Sequence, residues 1–390
     1  MGKRKVAGEW LTRFSLMFVG IAIAVGIVVI VAPYVIRKGN SRYANVNLGE
    51  VEYSVGTGDL FLVQAGSIAA PDNPYEVLSR HQLGWDDDGF RIPERLADTY
   101  SIIALGDSYT EATNVGRPWP DVLARELNSP VRNLGFRGYG PQEEAIVFEE
   151  YGLAESPEVV VIGFFGGNDI SNAGSFEGRA DSFSLPALIE DLSIRFDTSG
   201  RLWESDNSEF QYPVMLQLNE STQVPMAFFN SYTSWLNVTA DDLRQSKNLE
   251  EIVASWRAIQ AVANPETCII LAFFPSKAQI YLPFIVAEQR NNIVGGMIQR
   301  RINEPGQTIF SDDIHPTWDE LMSRRDNMRM VIGEAALANE LHFVDVSAAF
   351  EAAAANGEVL YYTYDTHWNQ AGHDLAGAVI GDFLQSGACD

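Results

Sequence analysis

The chain has 390 residues, of which 46% are hydrophobic and 20% are charged, a composition typical of a folded body of one large domain or two ordinary ones. Its formal net charge is −25, although six of its 27 basic residues lie within the first forty positions. The rest of the chain is therefore strongly acidic and would repel phosphate backbones, which argues against nucleic acid as a partner.

The first predicted element is a membrane-spanning helix. Residues 14–36 carry no charge, and as an α-helix they would be about 35 Å long, enough for a bilayer core of roughly 30 Å. A cleaved signal peptide is the alternative, but its apolar region is usually only about 7–15 residues long. Basic residues are in excess before the span, so residues 1–13 are predicted to stay in the cytoplasm and the body to lie outside it.

The remaining chain is predicted to be an α/β fold. Residues 41–95 are rich in Gly, Asp and Pro and are interpreted as an N-terminal extension packed on the body, which occupies residues 96–390. Strands are predicted over residues 100–105, 131–134, 159–165, 268–274 and 341–346, and helices over residues 119–127, 143–151 and 371–384. Apolar strands that alternate with helices are typical of a parallel sheet covered on both faces.

Two segments interrupt this alternation. Residues 171–240, between the third and fourth strands, are polar and irregular, and so long a stretch is more typical of a functional insertion or lid than of a plain connection. A smaller insertion is predicted over residues 303–319.

Two cysteines are too few for a disulfide framework. Cys268 lies in a predicted buried strand, whereas Cys389 is the penultimate residue, on a tail expected to be frayed. We therefore expect no bond between them.

Polar and glycine-rich segments follow three of the predicted strands, and a fourth precedes the last predicted helix. They occupy residues 106–110, 133–140, 166–169 and 365–369. Ligands of an open parallel sheet bind outside the carboxyl ends of its strands, so these segments are expected to form one site. A serine hydroxyl needs a neighbouring base, and His367 is the one histidine of five in a short polar motif directly before a helix.

These four segments, in this order, resemble the signature blocks of the SGNH (GDSL-type) hydrolase superfamily. The resemblance implies a flavodoxin-like three-layer sandwich with a five-stranded parallel sheet. It also implies that Ser108 is the nucleophile and His367 the general base. The oxyanion hole would then consist of the backbone N–H groups of Ser108 and Gly135 and the side-chain amide of Asn168.

The orienting acid departs from the usual pattern of this superfamily. An aspartate normally stands three residues before the histidine, but that position is Tyr364, and Asp365 stands two before. The Asp-Thr-His-Trp sequence is similar to the alginate O-acetyltransferase-like branch, which makes Asp365 the predicted orienting acid. A second histidine, His315, follows Asp312 with the usual spacing, but it precedes the fifth strand, so His367 is favoured.

The other polar residues of these segments are interpreted as structural. Asp107 and Asp169 are expected to brace their loops. No spacing among the histidines indicates zinc, and the glycine order of residues 135–140 is the reverse of a dinucleotide fingerprint, so neither a metal nor a cofactor is predicted. Ser276 and Lys277 could form a catalytic pair, but a position at the rim, in contact with substrate, is favoured.

The predicted function is hydrolysis of an acyl ester through an acyl-serine intermediate, on a small molecule, an O-acetylated envelope glycan or a lipid. A second hypothesis is acyl transfer to an extracytoplasmic polysaccharide, which would need a multispanning partner to supply the acyl donor. A third is a non-catalytic envelope or complex subunit that kept the fold. The presence of Ser108, Asn168 and His367 together argues against the third.

Overall fold

The structure is a computed structural model that describes residues 83–182, 214–296, 299–304, 307–311, 316–363 and 366–389, together with short strands between residues 43 and 69. The predicted anchor, residues 14–36, lies outside the described residues, as do Asp365 and His315. Among the helices that the structure describes, none combines the length and the hydropathy needed to cross a bilayer.

Five parallel strands form the central sheet, where the apolar runs predicted them. They are β1 (Ile102–Gly106), β2 (Val131–Asn133), β3 (Val159–Phe165), β4 (Cys268–Phe274) and β5 (His342–Asp345). Their order across the sheet is β5-β4-β3-β1-β2, with every neighbouring pair parallel. This is the flavodoxin-like order, which reverses between β1 and β3. The predicted α/β class with a five-stranded parallel sheet is confirmed.

Thirteen α-helices are found in the described part of the chain. They are α1 (Ser108–Glu111), α2 (Trp119–Glu126), α3 (Pro141–Val147), α4 (Asp169–Ser182), α5 (Asn230–Trp235), α6 (Ala240–Arg244), α7 (Lys247–Val262), α8 (Lys277–Tyr281), α9 (Arg290–Gly296), α10 (Trp318–Arg324), α11 (Asn327–Ala338), α12 (Ser347–Ala355) and α13 (Gln370–Gln385).

Two hydrophobic cores lie on the two faces of the sheet, because successive side chains of a strand point to opposite sides. On β1, Ile102 and Ala104 belong to one core, and Ile103 and Leu105 to the other. Helices α2, α8, α12 and α13 contribute buried residues to the first core, and α3, α7 and α11 to the second. The result is a three-layer sandwich with the sheet in the middle.

The insertion between β3 and β4 contains regular structure where the sequence suggested an irregular segment. Helix α4 lies at its start, and an antiparallel hairpin of Val214–Gln217 and Gln223–Met226 precedes α5 and α6. The smaller predicted insertion overlaps a second hairpin, Gln299–Glu304 with Gln307–Ser311. In the N-terminal extension, Tyr43–Val46, Val51–Val55 and Phe61–Val63 form a three-stranded sheet, and Ile68–Ala69 pairs with Leu83–Gly84.

Cys268 and Cys389 form a disulfide bond, so the expectation that they would not pair is wrong. They are 121 positions apart in the sequence, but their Cα atoms are only 5.6 Å apart. Helix α13 begins near the carboxyl ends of the strands and runs back along α2 to the edge where the strands begin. The tail therefore meets the first residue of β4 and is not frayed.

Candidate active site

Ser108 is the first residue of α1, directly after β1. Gly106 has a φ of +146°, and a Cβ at this position would stand 2.2 Å from the Thr110 Oγ1 atom, so only glycine fits the turn. The Asp107 carboxylate caps α1 by accepting a hydrogen bond from the Tyr109 N–H at 2.9 Å. Ser108 is half-buried, whereas its neighbours on both sides are buried, so it is the residue of this turn that solvent reaches.

The imidazole of His367 lies against the Ser108 hydroxyl. The distance between His367 Nε2 and Ser108 Oγ is 2.8 Å, which is a hydrogen bond, although the two residues are 259 positions apart in the sequence. A neutral imidazole whose Nε2 carries no proton can accept the hydroxyl proton. The pair therefore has the geometry of a nucleophile and its general base.

The loop that carries His367 is fixed by contacts on both of its arms. The Tyr362 N–H donates a hydrogen bond to the His367 carbonyl oxygen at 3.1 Å, which joins the two arms of the loop. The Tyr109 hydroxyl donates to the Thr366 carbonyl oxygen at 2.5 Å, and its ring centroid lies 4.9 Å from that of the imidazole. Tyr109 thus links the turn of the nucleophile to the loop of the base.

Asn168, which directly precedes α4 after β3, lies beside the turn of the nucleophile. Burial raises the pKa of the Asp107 carboxyl, while a backbone hydrogen bond, the charge of His367 and the Asn168 amide act in the opposite direction. Asp169 accepts a hydrogen bond from a backbone N–H of β3 at 2.6 Å. Asp107 and Asp169 therefore make the loop-bracing contacts that were expected of them.

Gly135 lies close to the nucleophile's helix, but its N–H is already engaged. It donates a hydrogen bond to Asn133 Oδ1 at 3.0 Å, and the Asn133 amide donates to the Thr110 carbonyl oxygen at 2.7 Å. A Cβ at Gly135 would stand 2.5 Å from the Thr110 Cβ atom, so close packing accounts for this glycine. Gly138 differs: its φ is +80°, and nothing lies within 4 Å of the place where its Cβ would stand.

Ser276 and Lys277 do not form a second catalytic pair. The Ser276 hydroxyl accepts a hydrogen bond from the Gln279 N–H at 3.2 Å and caps α8. Lys277 is only 4% exposed, so its predicted position at the rim is wrong. Its ammonium group donates to backbone carbonyl oxygens, among them that of Ala227 at 2.8 Å.

Two of the remaining histidines are described, and neither belongs to the site. His373 is buried in α13, where its Nδ1 accepts a hydrogen bond from the Trp119 N–H at 3.3 Å, and burial holds the pKa of its imidazole well below the usual range. His342 is exposed. Among the described residues, no group of three or more His, Cys, Asp or Glu side chains could hold a metal ion.

Sequence reasoning missed the residues that support the end of α1, chiefly Arg91 and Glu111. The buried guanidinium of Arg91 donates to the carbonyl oxygens of Glu111, the last residue of α1, at 3.1 Å and of Val115, just beyond α1, at 3.0 Å. Burial lowers the pKa of Arg91 to about 10. The Glu111 carboxylate in turn accepts hydrogen bonds from Trp85 at 3.2 Å and from the Arg137 side chain at 2.8 Å. Arg91 lies in a polar segment, and nothing in the neighbouring sequence indicates that its side chain is buried.

Solved structures that match this chain include three hydrolases. A phospholipase A1 from Streptomyces albidoflavus NA297 is 13% identical, with a TM-score of 0.39 and coverage of 74% of this chain and 99% of that one. An acetylxylan esterase from Geobacillus stearothermophilus, solved as a catalytic mutant, is 15% identical, with a TM-score of 0.34. The match covers 73% of this chain and 94% of the esterase chain. A lipase/acylhydrolase from Enterococcus faecalis is 16% identical, with a TM-score of 0.35. The match covers 73% of this chain and 95% of the other. Identities this low say nothing about substrate.

A comparison with curated protein sequences finds no match. Residues 104–375, well over half of the chain, match the profile described as the GDSL-like Lipase/Acylhydrolase family. The matched region begins within β1 and ends within α13, so it includes both Ser108 and His367. The chain therefore belongs to the GDSL-like lipase/acylhydrolase family and is a serine hydrolase that acts on ester bonds.

Proposed function

We propose that this hydrolase is anchored to a membrane by residues 14–36 and cleaves an acyl ester outside the cytoplasm through an acyl-enzyme on Ser108. The observation that carries the catalytic part is the 2.8 Å hydrogen bond between Ser108 Oγ and His367 Nε2. The substrate class is a small acyl ester, such as an O-acetyl group on an envelope glycan, or a lipid ester. Placement of the body at a membrane surface supports this choice of substrate.

The proposed reaction has two halves. Ser108 Oγ attacks the ester carbonyl carbon while His367 Nε2 takes the hydroxyl proton, and a tetrahedral oxyanion forms. The C–O bond to the alcohol then breaks, and the imidazolium returns the proton to the leaving oxygen. A water molecule repeats the sequence on the acyl-serine, which releases the carboxylic acid and restores the Ser108 hydroxyl.

The oxyanion needs donors that are already in place. We assign this role to the Ser108 N–H at the start of α1 and to the side-chain amide of Asn168. The Gly135 N–H was also predicted to contribute, but it donates to Asn133 Oδ1. In the same loop, nothing lies within 4 Å of the place where a Cβ of Gly138 would stand, so a substrate could approach the backbone from that side. Asp365 stays a prediction as the orienting acid.

The proposed location rests on two independent features. Basic residues are in excess on the N-terminal side of residues 14–36, which favours a cytoplasmic N-terminus and an exported body. The disulfide bond between Cys268 and Cys389 supports the same direction, because disulfides persist in oxidising compartments and are rare in the cytosol.

A fluorophosphonate probe tests the catalytic assignment. We expect the native chain to be labelled, Ser108→Ala to show no labelling, and His367→Ala to lose at least about 10³-fold in labelling rate and in kcat. Ser276→Ala is the matched control, because Ser276 also follows a central strand but only caps a helix, so labelling should persist. Native protein that resists labelling, or full labelling of Ser108→Ala, would rule out the proposal.

Acyl transfer is the second candidate, favoured by the Asp-Thr-His-Trp sequence around His367. It shares the acyl-serine with hydrolysis and differs in the group that attacks it. Product analysis with and without a soluble polysaccharide acceptor separates the two, since acyl groups that appear on the acceptor indicate a transferase and free acid alone indicates an esterase.

A further inference from the structure

The ammonium group of Lys277 lies in the interior of the protein, at the start of α8. Its Nζ donates hydrogen bonds to three backbone carbonyl oxygens: that of Ala227 at 2.8 Å, that of Tyr362 at 2.8 Å and that of Thr363 at 3.1 Å. An ammonium has protons to donate and no lone pair to accept with, so carbonyl oxygens are suitable partners for it. A group bonded in this way does not act as a base.

Burial of such a cation is unfavourable unless it is well paired. The effective penalty is several kcal/mol per ion in a protein interior, and only good hydrogen-bond geometry offsets it. Lysine is seldom buried for packing alone. The role of Lys277 can therefore be inferred from where its carbonyl acceptors lie in the fold.

Two of the three carbonyl groups belong to the loop that carries the catalytic base. Tyr362 and Thr363 lie on the arm that approaches His367, and the Tyr362 N–H donates to the His367 carbonyl oxygen at 3.1 Å. The base of the loop is closed by the Asn369 N–H, which donates to the Leu360 carbonyl oxygen at 2.9 Å. Lys277 thus holds one arm of this loop, while Tyr109 holds the other through Thr366.

The third carbonyl group belongs to the insertion between β3 and β4. Ala227 directly follows the strand Gln223–Met226, and its N–H donates to the Thr363 carbonyl oxygen at 3.0 Å. The Thr363 oxygen therefore accepts from both Ala227 and Lys277. One cation joins the insertion to the loop of the base.

We propose that Lys277 is a positioning residue of the esterase, which fixes the His367 loop against the insertion and so keeps the imidazole on the Ser108 hydroxyl. The kinetic effect expected from this role rests on the proposed function. Lys277 donates its described hydrogen bonds to backbone carbonyl oxygens and not to the two reacting side chains. It acts through the backbone of Tyr362 and Thr363.

The kinetic test uses Lys277→Met, which keeps an unbranched side chain of similar length and removes the charge and all three donors. With p-nitrophenyl acetate as substrate and active sites counted by fluorophosphonate titration, we expect kcat per active site to fall by about 10- to 100-fold. A displacement of about 1 Å in a catalytic group can have an effect of this size. KM should stay within about threefold, because no substrate contact is removed. Lys277→Gln, which keeps two N–H donors, should show a smaller loss and serves if the Met variant does not fold.

The control is Arg324→Met, which removes another basic residue that holds a backbone carbonyl, that of Asn237, away from the His367 loop. It should lower thermal stability and leave kcat per active site unchanged. A folded Lys277→Met or Lys277→Gln with the native kcat per active site would overturn the proposal, and so would an equal loss of kcat in Arg324→Met.

Hydrogen exchange gives a readout that needs no activity. In Lys277→Met, the amide protons of residues 360–369 and of Ala227 should exchange at least about tenfold faster than in the native chain, while those of α7 should not change. Unchanged exchange in this loop contradicts the role of Lys277 even if the enzyme is active. Faster exchange in a chain that no fluorophosphonate labels would show that the proposed function has failed and that the structural coupling has not.

Discussion

At the scale of single residues, two neighbouring buried carboxyl groups, one of them next to Ser108 in the chain, lack full hydrogen bonding. Glu144 and Asp107 are both buried, and each has one carboxylate oxygen without a hydrogen-bond partner. Burial raises the pKa of Asp107, and burial together with the neighbouring charges of Asp107 and Glu143 raises the pKa of Glu144 well above its usual range. The protein therefore favours the neutral form of Glu144.

This predicts that Glu144→Gln stabilises the protein in a pH-dependent way. A carboxyl whose pKa is raised on folding stabilises the native state below its unfolded pKa, and that contribution is lost as the pH rises through the folded pKa. Glutamine cannot ionise, so it avoids this loss. In urea unfolding, the variant and the native chain should be similar near pH 4, and the variant should be more stable by about 1–3 kcal/mol near pH 8.

The control for this prediction is Glu149→Gln, because Glu149 is exposed on the turn that follows α3. It should change stability little at either pH. A Glu144→Gln variant that is equally destabilised at both pH values would show that the charged form of Glu144 is accommodated in the native state.

Part of the site could be predicted from the sequence, since the residues concerned carry distinctive chemistry at strand ends. Ser108 and His367 were assigned to one place, and the structure brings them within 2.8 Å. Gly135 stays a prediction as an oxyanion donor, because a close packing contact also requires glycine at this position. Lys277 was misread because a polar residue after a strand is usually exposed. Its burial depends on the course of a loop 85 positions away, which no local pattern encodes.

At the scale of elements, the site depends on how closely α13 packs against α2. Gly377 of α13 faces α2, and a Cβ at this position would stand 2.5 Å from the Val122 Cβ atom and 2.9 Å from the Trp119 carbonyl oxygen. Neither atom is the end of a flexible side chain, because valine is branched at Cβ and the carbonyl is backbone. Glycine is therefore what allows the two helices to approach.

We predict that Gly377→Ala destabilises the protein by about 1–3 kcal/mol, the usual range for an overpacked interior. The clash should outweigh the gain of up to about 1 kcal/mol that alanine brings to a helix. Gly381→Ala is the matched control one turn later, where the nearest atom is the Cβ of the exposed Glu126 at 3.0 Å. Urea unfolding should show the control at native stability or slightly above it. Equal stability of the two variants would contradict this view of the helix contact.

The elements that the sequence predicted well are those whose pattern depends on burial on both faces. Strands β3 and β4 occur at the predicted residues 159–165 and 268–274, because seven apolar residues in a row suit only a central strand. The predicted helix over residues 143–151 begins earlier, at Pro141, and changes to a π turn at Phe148. The hairpin of Val214–Gln217 and Gln223–Met226 was missed, because its strands are only four residues long and the second contains proline.

At the scale of the whole molecule, α13 connects the two edges of the sheet: its start follows the His367 loop, and the chain beyond its end is held by the disulfide bond. Its first turn follows the loop that places His367 on Ser108, at the edge where the strands end. Past its last turn, Cys389 is bonded to Cys268 at the edge where the strands begin. The disulfide thus closes a long covalent loop that contains β4, β5 and the base, and it does so far from the reacting atoms.

We therefore expect the disulfide to contribute to stability and not to catalysis. A bond that closes a loop of this length should stabilise the native state by up to about 3–5 kcal/mol in the chain-entropy account. The free energy of unfolding of Cys389→Ser should therefore be lower by up to this amount, and its unfolding midpoint should lie at a lower urea concentration. A reductant should lower the urea midpoint of the native chain to that of the variant, and it should not change the midpoint of the variant. In contrast, kcat per active site below the unfolding transition should be unchanged, since the bond lies at the edge of the sheet opposite Ser108. Two free thiols in native chain isolated from an oxidising compartment would contradict both the bond and its support for export.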